Sequence, residues 1–280
     1  MRVIDTDTLV EKVADMCVQA ATCLPADVFN GLQRAREIEV SPTGQAILDV
    51  LVENAQLARR EGVPICQDTG VAVYFVDLGS EVVLKGDLYE ALRRGTELGY
   101  TRGYLRMSIA QEPLFERQNT KTNGPPVVHV RLVPGETLRI TLAPKGGGSE
   151  NMSALAMLKP ADGKAGVVDF IVNTVRNAGG NPCPPIVVGV GVGGNFEMAP
   201  MLAKRALLRT LGEPNPDPRY AAFEAELLEL INKTGIGPQG LGGRVTALAV
   251  HVEFAQCHIA SLPVAVNLNC HAARHVTAEF

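Results

Sequence analysis

Between residues 58 and 71 the hydrophobic pattern of the chain changes period, and this limits what it can fold into. Before that point apolar residues recur every three or four positions, in 9–24 and again in 44–58 after the break "SPTGQ". That spacing predicts helices across 6–60, with Asp5 or Thr6 placed to cap the first. From Val71 the period is two: "VAVYFVDLG" and "SEVVLK" read as strands joined by a turn at Gly79. A helix is expected over 87–98, turn chemistry in "QNTKTNGPP" at 118–126, and strands over 127–133 and 137–143. A glycine-rich passage follows, then a helix around 164–178 and a strand–glycine–helix run, "PPIVVGVGVGGNFEMAPMLAKRALL". A helix near 217–232, a strand in 244–254 and a cysteine-bearing tail end the series. Helices first and mixed strands and helices afterwards predict an α/β fold, with a helical N-terminal lobe packed on a mixed-sheet body. The 280 residues, 46% of them hydrophobic, suffice for a single domain spanning 1–280, in one lobe or two.

A formal charge of −4 gives no footprint for nucleic acid. An anionic small substrate would need a local arginine or lysine set against the global sign. The first 25 residues carry acids throughout and lack an apolar core, and no window approaches the ~18 apolar residues of a membrane span. The expected location is cytoplasmic, away from membranes. There disulfides are rare, so metal binding gains weight for the six cysteines, Cys17, Cys23, Cys66, Cys183, Cys257 and Cys270. No CxxC pair occurs, which disfavours a zinc ribbon or knuckle.

In "VPICQDTGVAVYF", Cys66 stands with Gln67 and Asp68 at the mouth of a strand. A neighbouring carboxylate raises a thiol's pKa, so Cys66 makes a poor nucleophile; it is a metal ligand or an accident. Gly189, Gly191 and Gly194 satisfy G-x-G-x-x-G, but the acidic residue required about 20 positions on falls in the proline-rich loop "TLGEPNPDPR". No βαβ unit is expected around it, so a nicotinamide dehydrogenase is a minor alternative to a tight strand-to-helix turn. In "PKGGGSENMS", Lys145 precedes its glycines, the reverse of a phosphate loop. The three glycines still permit close main-chain approach to a ligand, with Ser149, Glu150 and Asn151 following at once. "NPCPPI" holds Cys183 between prolines, and "CHIASLPVAVNLNCHAARH" sets His258, Asn269, His271 and Arg274 around a short apolar strand that ends at Cys270. Taken singly, each of these cysteines is explained as core; so are Cys17 and Cys23, inside a helical pattern, while Cys257 stays ambiguous. His251, alternating along a strand, reads as structural.

Together, "PICQDTG", "LRMSI…NTKTN", "KGGGSENMS", "NPCPPIVVGVGVGGNFE" and "CHIASLPVAVNLNCHAAR" resemble, in order and across nearly the whole chain, the α-subunit of two-chain class I fumarate hydratases and of the related L-tartrate dehydratases. The resemblance implies an oxygen-sensitive hydro-lyase whose [4Fe–4S] cluster, carried by the mixed-sheet body, is held by Cys66, Cys183 and Cys270. Three thiolates leave one iron open to a substrate hydroxyl and carboxylate, as a Lewis acid. It further implies substrate contacts from Gln67, Arg106, Gly146, Ser149 and Asn151, and catalytic roles for Asp68 and His258. Single-chain relatives carry a second domain beyond the third cysteine motif, so a separate β-subunit is expected here, in an α2β2 assembly. Hydration of fumarate to L-malate is the first expectation, and dehydration of L-tartrate or another 2-hydroxy-dicarboxylate the alternative.

Overall fold

A computed structural model describes the whole chain, Met1–Phe280. The fold is mixed α/β and divides into two compact units, each assembled from segments distant in sequence. The first comprises Met1–Pro25, Ala55–Gly147 and Arg274–Phe280; the second comprises Ala26–Asn54 and Gly148–Ala273. The N-terminal helices are thus shared out between the units.

In the first unit, α1 (Leu9–Thr22) and α4 (Leu88–Arg102) cover a four-stranded sheet. The strands are β2 (Val71–Gly79), β4 (Val127–Val133), β5 (Leu138–Lys145) and β10 (Val276–Glu279), in the order β10-β5-β2-β4. The hairpin expected at Gly79 does not form. β2 pairs in parallel with β4 and antiparallel with β5, while β3 (Val82–Lys85) leaves to pair in parallel with β1 (Arg2–Asp5). The strand periods were legible, but their partners lie 50 to 80 residues away, beyond the reach of local turn chemistry. As an inner strand, β2 is buried at every residue from Ala72 to Val76, whereas the edge strand β4 is largely exposed. The core joins Leu9, Val13 and Met16 of α1 and Leu92 of α4 to Leu138, Ile140 and Leu142 of β5, all essentially inaccessible. Each such side chain contributes about 2 kcal/mol by its removal from water. Cys17 lies in this core beside the Tyr74 hydroxyl, and burial pushes its thiol up to about 11, as suits a core residue. Cys23, expected to be core as well, is half-buried just past the end of α1. Asp5 caps a single 3-10 turn, Thr6–Thr8, that precedes α1.

The second unit has a sheet ordered β6-β9-β7-β8: β6 (Ala154–Leu158), β7 (Ile186–Gly193), β8 (Ala247–Ala255) and β9 (Leu262–Asn269). On one face Ile186, Val188 and Val190 meet Ile171 and Val175 of α6 (Gly163–Ala178) and Leu227 and Ile231 of α8 (Pro218–Asn232). On the other face the alternate residues of β7 are glycines, and α7 (Met198–Ala206) lies directly upon them. A Cβ on Gly189 would come 2.1 Å from the Ala203 carbonyl oxygen, and one on Gly191 would come 2.0 Å from that of Ala199. Close helix–sheet packing thus accounts for the first two glycines of the G-x-G-x-x-G match. Contrary to expectation, a βαβ unit does surround it, since β7 and β8 are parallel with α7 and α8 between them in the chain. His251, on β8, is structural: it is buried, Nδ1 meets the Ala206 carbonyl at 3.1 Å, and burial holds its pKa below the ordinary histidine value.

The helix α2 (Ala26–Ile38) and its following turn are stitched into this unit by two carboxylates. Asp27 accepts the Leu211 N–H at 2.8 Å. Glu39, 2% exposed, accepts four main-chain N–H groups, from Val40, Ser41, Arg244 and Val245. No helix is long and apolar enough to cross a membrane.

Candidate functional site

Three of the motif stretches that are far apart in sequence converge in the first unit. The Cys66–Gly70 loop, just ahead of β2, is held through its main-chain carbonyls and through the Thr69 and Asp68 side chains. Tyr100, on the buried side of α4, donates its hydroxyl to the carbonyls of Thr69, at 3.2 Å, and Gly70, at 2.8 Å. Burial pushes that hydroxyl well above the usual phenol range, so it stays a donor. Asn123, fully buried in the "NTKTN" stretch, donates to the Gly70 carbonyl at 3.1 Å and accepts the Ser108 N–H at 2.6 Å. The Thr69 hydroxyl accepts the Arg106 N–H at 3.0 Å and donates back to the Arg106 carbonyl at 3.3 Å. Residues 66–70, 105–109 and 119–123 therefore form one hydrogen-bonded body.

Gly70 makes the tight packing possible. Its φ is +83°, and a Cβ there would lie 2.9 Å from the main chain of Lys145 at the end of β5. This contact brings the glycine-rich stretch alongside the loop. Asp68 Oδ2 accepts the Gly147 N–H at 2.8 Å and Oδ1 accepts the Gly70 N–H at 3.0 Å. Gly146 leaves its carboxylate room, since a Cβ there would stand 3.3 Å from Oδ2. Arg274, 3% exposed, donates Nη2 to the Asp68 carbonyl at 3.0 Å. On the open side, Gln67 and Arg106 are exposed, and the Cys66 thiol, half-buried, donates to Gln67 Oε1 at 3.4 Å. Arg93, Arg94 and Arg102 of this unit are paired with carboxylates; Arg106 has no carboxylate partner. A guanidinium so placed suits the two oxygens of an incoming carboxylate.

The remaining candidates belong to the second unit. Cys183 is exposed at φ +55°, a left-handed conformation that costs a non-glycine residue about 1–2 kcal/mol and is found where surroundings over-determine it. Its carbonyl accepts the His271 N–H at 3.2 Å and stands 3.1 Å from His271 Nδ1. Gln239 braces the same place, donating to the Pro184 carbonyl and touching the His271 ring. The segment bearing Cys183 is thereby tied to the residue that follows Cys270. Ser149 is buried at 3%, and its carbonyl accepts the Ser153 hydroxyl; Asn151 is exposed. Glu150 is engaged by Asn267 and Lys204. His258 lies on the exposed segment between β8 and β9. Its Nδ1 accepts the Ala260 N–H at 3.1 Å, which leaves Nε2 to carry the proton of the neutral ring.

The structure thus ties Asp68, Gly146 and the Arg106 main chain to the Cys66 loop, and Cys183 to the Cys270 segment. Tyr100, Asn123 and Thr69 were not among the candidates, although Asn123 falls inside the quoted "NTKTN"; Arg274 stood only as one of four polar groups around the tail strand, with no role assigned. Within neither unit do three His, Cys, Asp or Glu side chains converge to hold a metal ion. The donor chemistry does fit an iron–sulfur group: Cys66, Cys183 and Cys270 are all outside disulfides, none is fully buried, and soft thiolates select such clusters. A cleft of about 540 Å³ in the second unit, between α6, α8 and the end of β7, contains none of the candidate residues. Its two cations are already matched, Lys164 by Glu226 and Arg219 by Asp217.

Comparison with known proteins agrees with the motifs. A family profile described as Fumarate hydratase (Fumerase) matches residues 10–279. A protein of Methanocaldococcus jannaschii, provisionally named L(+)-tartrate dehydratase subunit alpha, is 43% identical over 276 residues, covering 94% of this chain and 95% of its own. The L(+)-tartrate dehydratase subunit alpha of an Escherichia coli strain is 35% identical over 273 residues, covering 96% and 89%. That of Shigella boydii is 34% identical with the same coverage.

Proposed function

The chain belongs to the fumarate hydratase family of hydro-lyases, and on that premise we propose that it is the α-subunit of an iron–sulfur enzyme that reversibly hydrates fumarate to L-malate. The observation that carries this reading is the braced loop. It places a carboxylate, an amide and a thiol beside an exposed, uncommitted arginine and a glycine-lined edge. Arg106 binds one substrate carboxylate, and Gln67 and the main chain at Gly146 orient the molecule, with Ser149 and Asn151 assigned to the same dicarboxylate. Asp68 holds or releases a proton at a carboxylate whose position is set by the Gly70 and Gly147 N–H groups. His258 presents Nε2–H as a donor.

Cys66, Cys183 and Cys270 are the ligands proposed for a [4Fe–4S] cluster. When bound, that group supplies an open iron, a Lewis acid toward the substrate hydroxyl and carboxylate. The relatives are named alpha subunits, which supports a separate β-subunit as partner; α2β2 is the assembly proposed. A second reading, dehydration of L(+)-tartrate, is favoured by the names of those same relatives. Both substrates are four-carbon dicarboxylates, and both suit an arginine facing a carboxylate loop.

The test is anaerobic reconstitution of the chain with iron and sulfide beside Cys183→Ser, followed by assay with its β-subunit against fumarate and L(+)-tartrate. About four irons per chain, lost in the variant, together with turnover of fumarate only when the β-subunit is present, is the expected result. Turnover of tartrate alone would select the second reading. A chain that binds no stoichiometric iron would overturn the cofactor, and full activity without a partner would overturn the two-chain assembly.

A further inference from the structure

Arg274 is the one buried cation of the first unit whose surroundings leave it visibly incomplete. It is 3% exposed, and Nη2 is spent on the Asp68 carbonyl at 3.0 Å, but Nε and Nη1 are buried with no hydrogen-bond partner. Buried guanidinium groups normally face a carboxylate, because an uncompensated charge in a medium of low polarity is costly. Holding the loop in place does not explain that cost. Tyr100 already grips two of its carbonyls, Asn123 grips one of them again, and Asp68 closes its own turn onto Gly70. A neutral amide could make the single bond to the Asp68 carbonyl. What only arginine brings is a positive charge, unspent, directly behind residue 68.

We propose that Arg274 is a positioning residue for Asp68: it pins the main-chain carbonyl of that residue with a buried, charged donor, so that the side chain stands where the reaction needs it. The inference rests on the reading of Asp68 as a catalytic residue, and it assigns Arg274 no contact with substrate. Its charge acts through a low-dielectric interior, where such influence is far less screened than in water.

A double-mutant cycle in the assembled, cluster-loaded enzyme tests this, with fumarate or L(+)-tartrate according to which the unaltered enzyme turns over. Arg274→Gln is expected to lower kcat roughly 10- to 100-fold, with KM and iron content nearly unchanged. Arg274→Lys, which keeps the charge, should recover most of that loss. In an Asp68→Asn background the Gln substitution should cost less than about 2-fold more, because its target is already gone. An equal fold-loss in both backgrounds would overturn the inference, as would a lysine variant no better than glutamine. Should Arg274→Gln fail to fold, Arg274→Lys decides alone: kcat within about 3-fold of the unaltered enzyme supports the inference, and a loss of about 10-fold or more overturns it. Asp68→Asn with unaltered kcat would instead refute the role of Asp68 itself, and that failure is read from a single variant.

Discussion

Replacing Gly70 by alanine tests whether the main chain of β5 is what seats the Cys66–Gly70 loop. At φ +83° a Cβ costs about 1–2 kcal/mol, and the stiffer unfolded chain of alanine offsets about 0.4–1 of this. The new methyl would lie 2.9 Å from both the carbonyl carbon and the amide nitrogen of Lys145, and 3.0 Å from its oxygen. Those atoms sit in the ladder between β2 and β5 and have no rotamer through which to yield, so overpacking adds about 1–3 kcal/mol. The expected loss is about 2–4 kcal/mol. Gly62 provides the control: its φ is +66°, and nothing lies within 4 Å of where its Cβ would be, so Gly62→Ala should cost less than about 1 kcal/mol. Urea unfolding of both variants reads the difference. Turnover of the assembled enzyme then reads whether Asp68, whose Oδ1 is tied to the Gly70 N–H, has moved; a loss of at least about 10-fold is expected for Gly70→Ala alone. Equal destabilisation by the two substitutions would refute the steric argument. Full activity in Gly70→Ala would refute the view that this loop's seat places the carboxylate.

Glu39 should make stability depend on pH. Burial raises its pKa, but the N–H groups of Ser41, Arg244, Val245 and Val40 outweigh burial and hold it below the usual carboxylate value. Its contribution is therefore present above the unfolded value of about 4.3 and is lost as pH falls through the folded one. Glu39→Gln turns an amide donor against one of those N–H groups and should cost about 2–4 kcal/mol at pH 7, with the gap from the unaltered protein closing below about pH 4. A gap constant from pH 7 to pH 3 in denaturant titrations would count against this. Gly191→Ala would drive a methyl to 2.0 Å from the Ala199 carbonyl oxygen and should cost about 3 kcal/mol in thermal unfolding; a loss under about 0.5 kcal/mol would show that α7 can lift from the sheet.

What was legible in the sequence depended on how far each residue's partner lay along the chain. The periods of α1, α4, β2 and β8 are local properties and appear near their expected positions. The pairing of β3 with β1 rather than with β2 is set by residues some 80 positions away, and no turn signal at Gly79 could report it. The glycines of β7 were visible as a motif, but their purpose required α7 lying on the same face. For the candidate site, Cys66, Cys183 and Cys270 stood out through the long motifs around them, since no spacing rule reaches that far. Tyr100 lay beyond the helix expected over 87–98, which in fact runs to Arg102, and Arg274 was one of four polar groups around a tail strand. Their meaning comes from Thr69, Gly70 and Asp68, which they reach only after folding.

The return of the chain's last strand to the first sheet also sets an order of events in time. β10 closes the edge of β5, and Arg274 reaches the Asp68 carbonyl, only once residues beyond Ala273 exist. At a synthesis rate of about 5–20 residues per second, the roughly 126 residues from Gly148 to Ala273 take ~6–25 s to appear. For that interval the nascent first unit carries an open β5 edge, able to pair with any other strand, and a loop whose cationic brace has not yet been made.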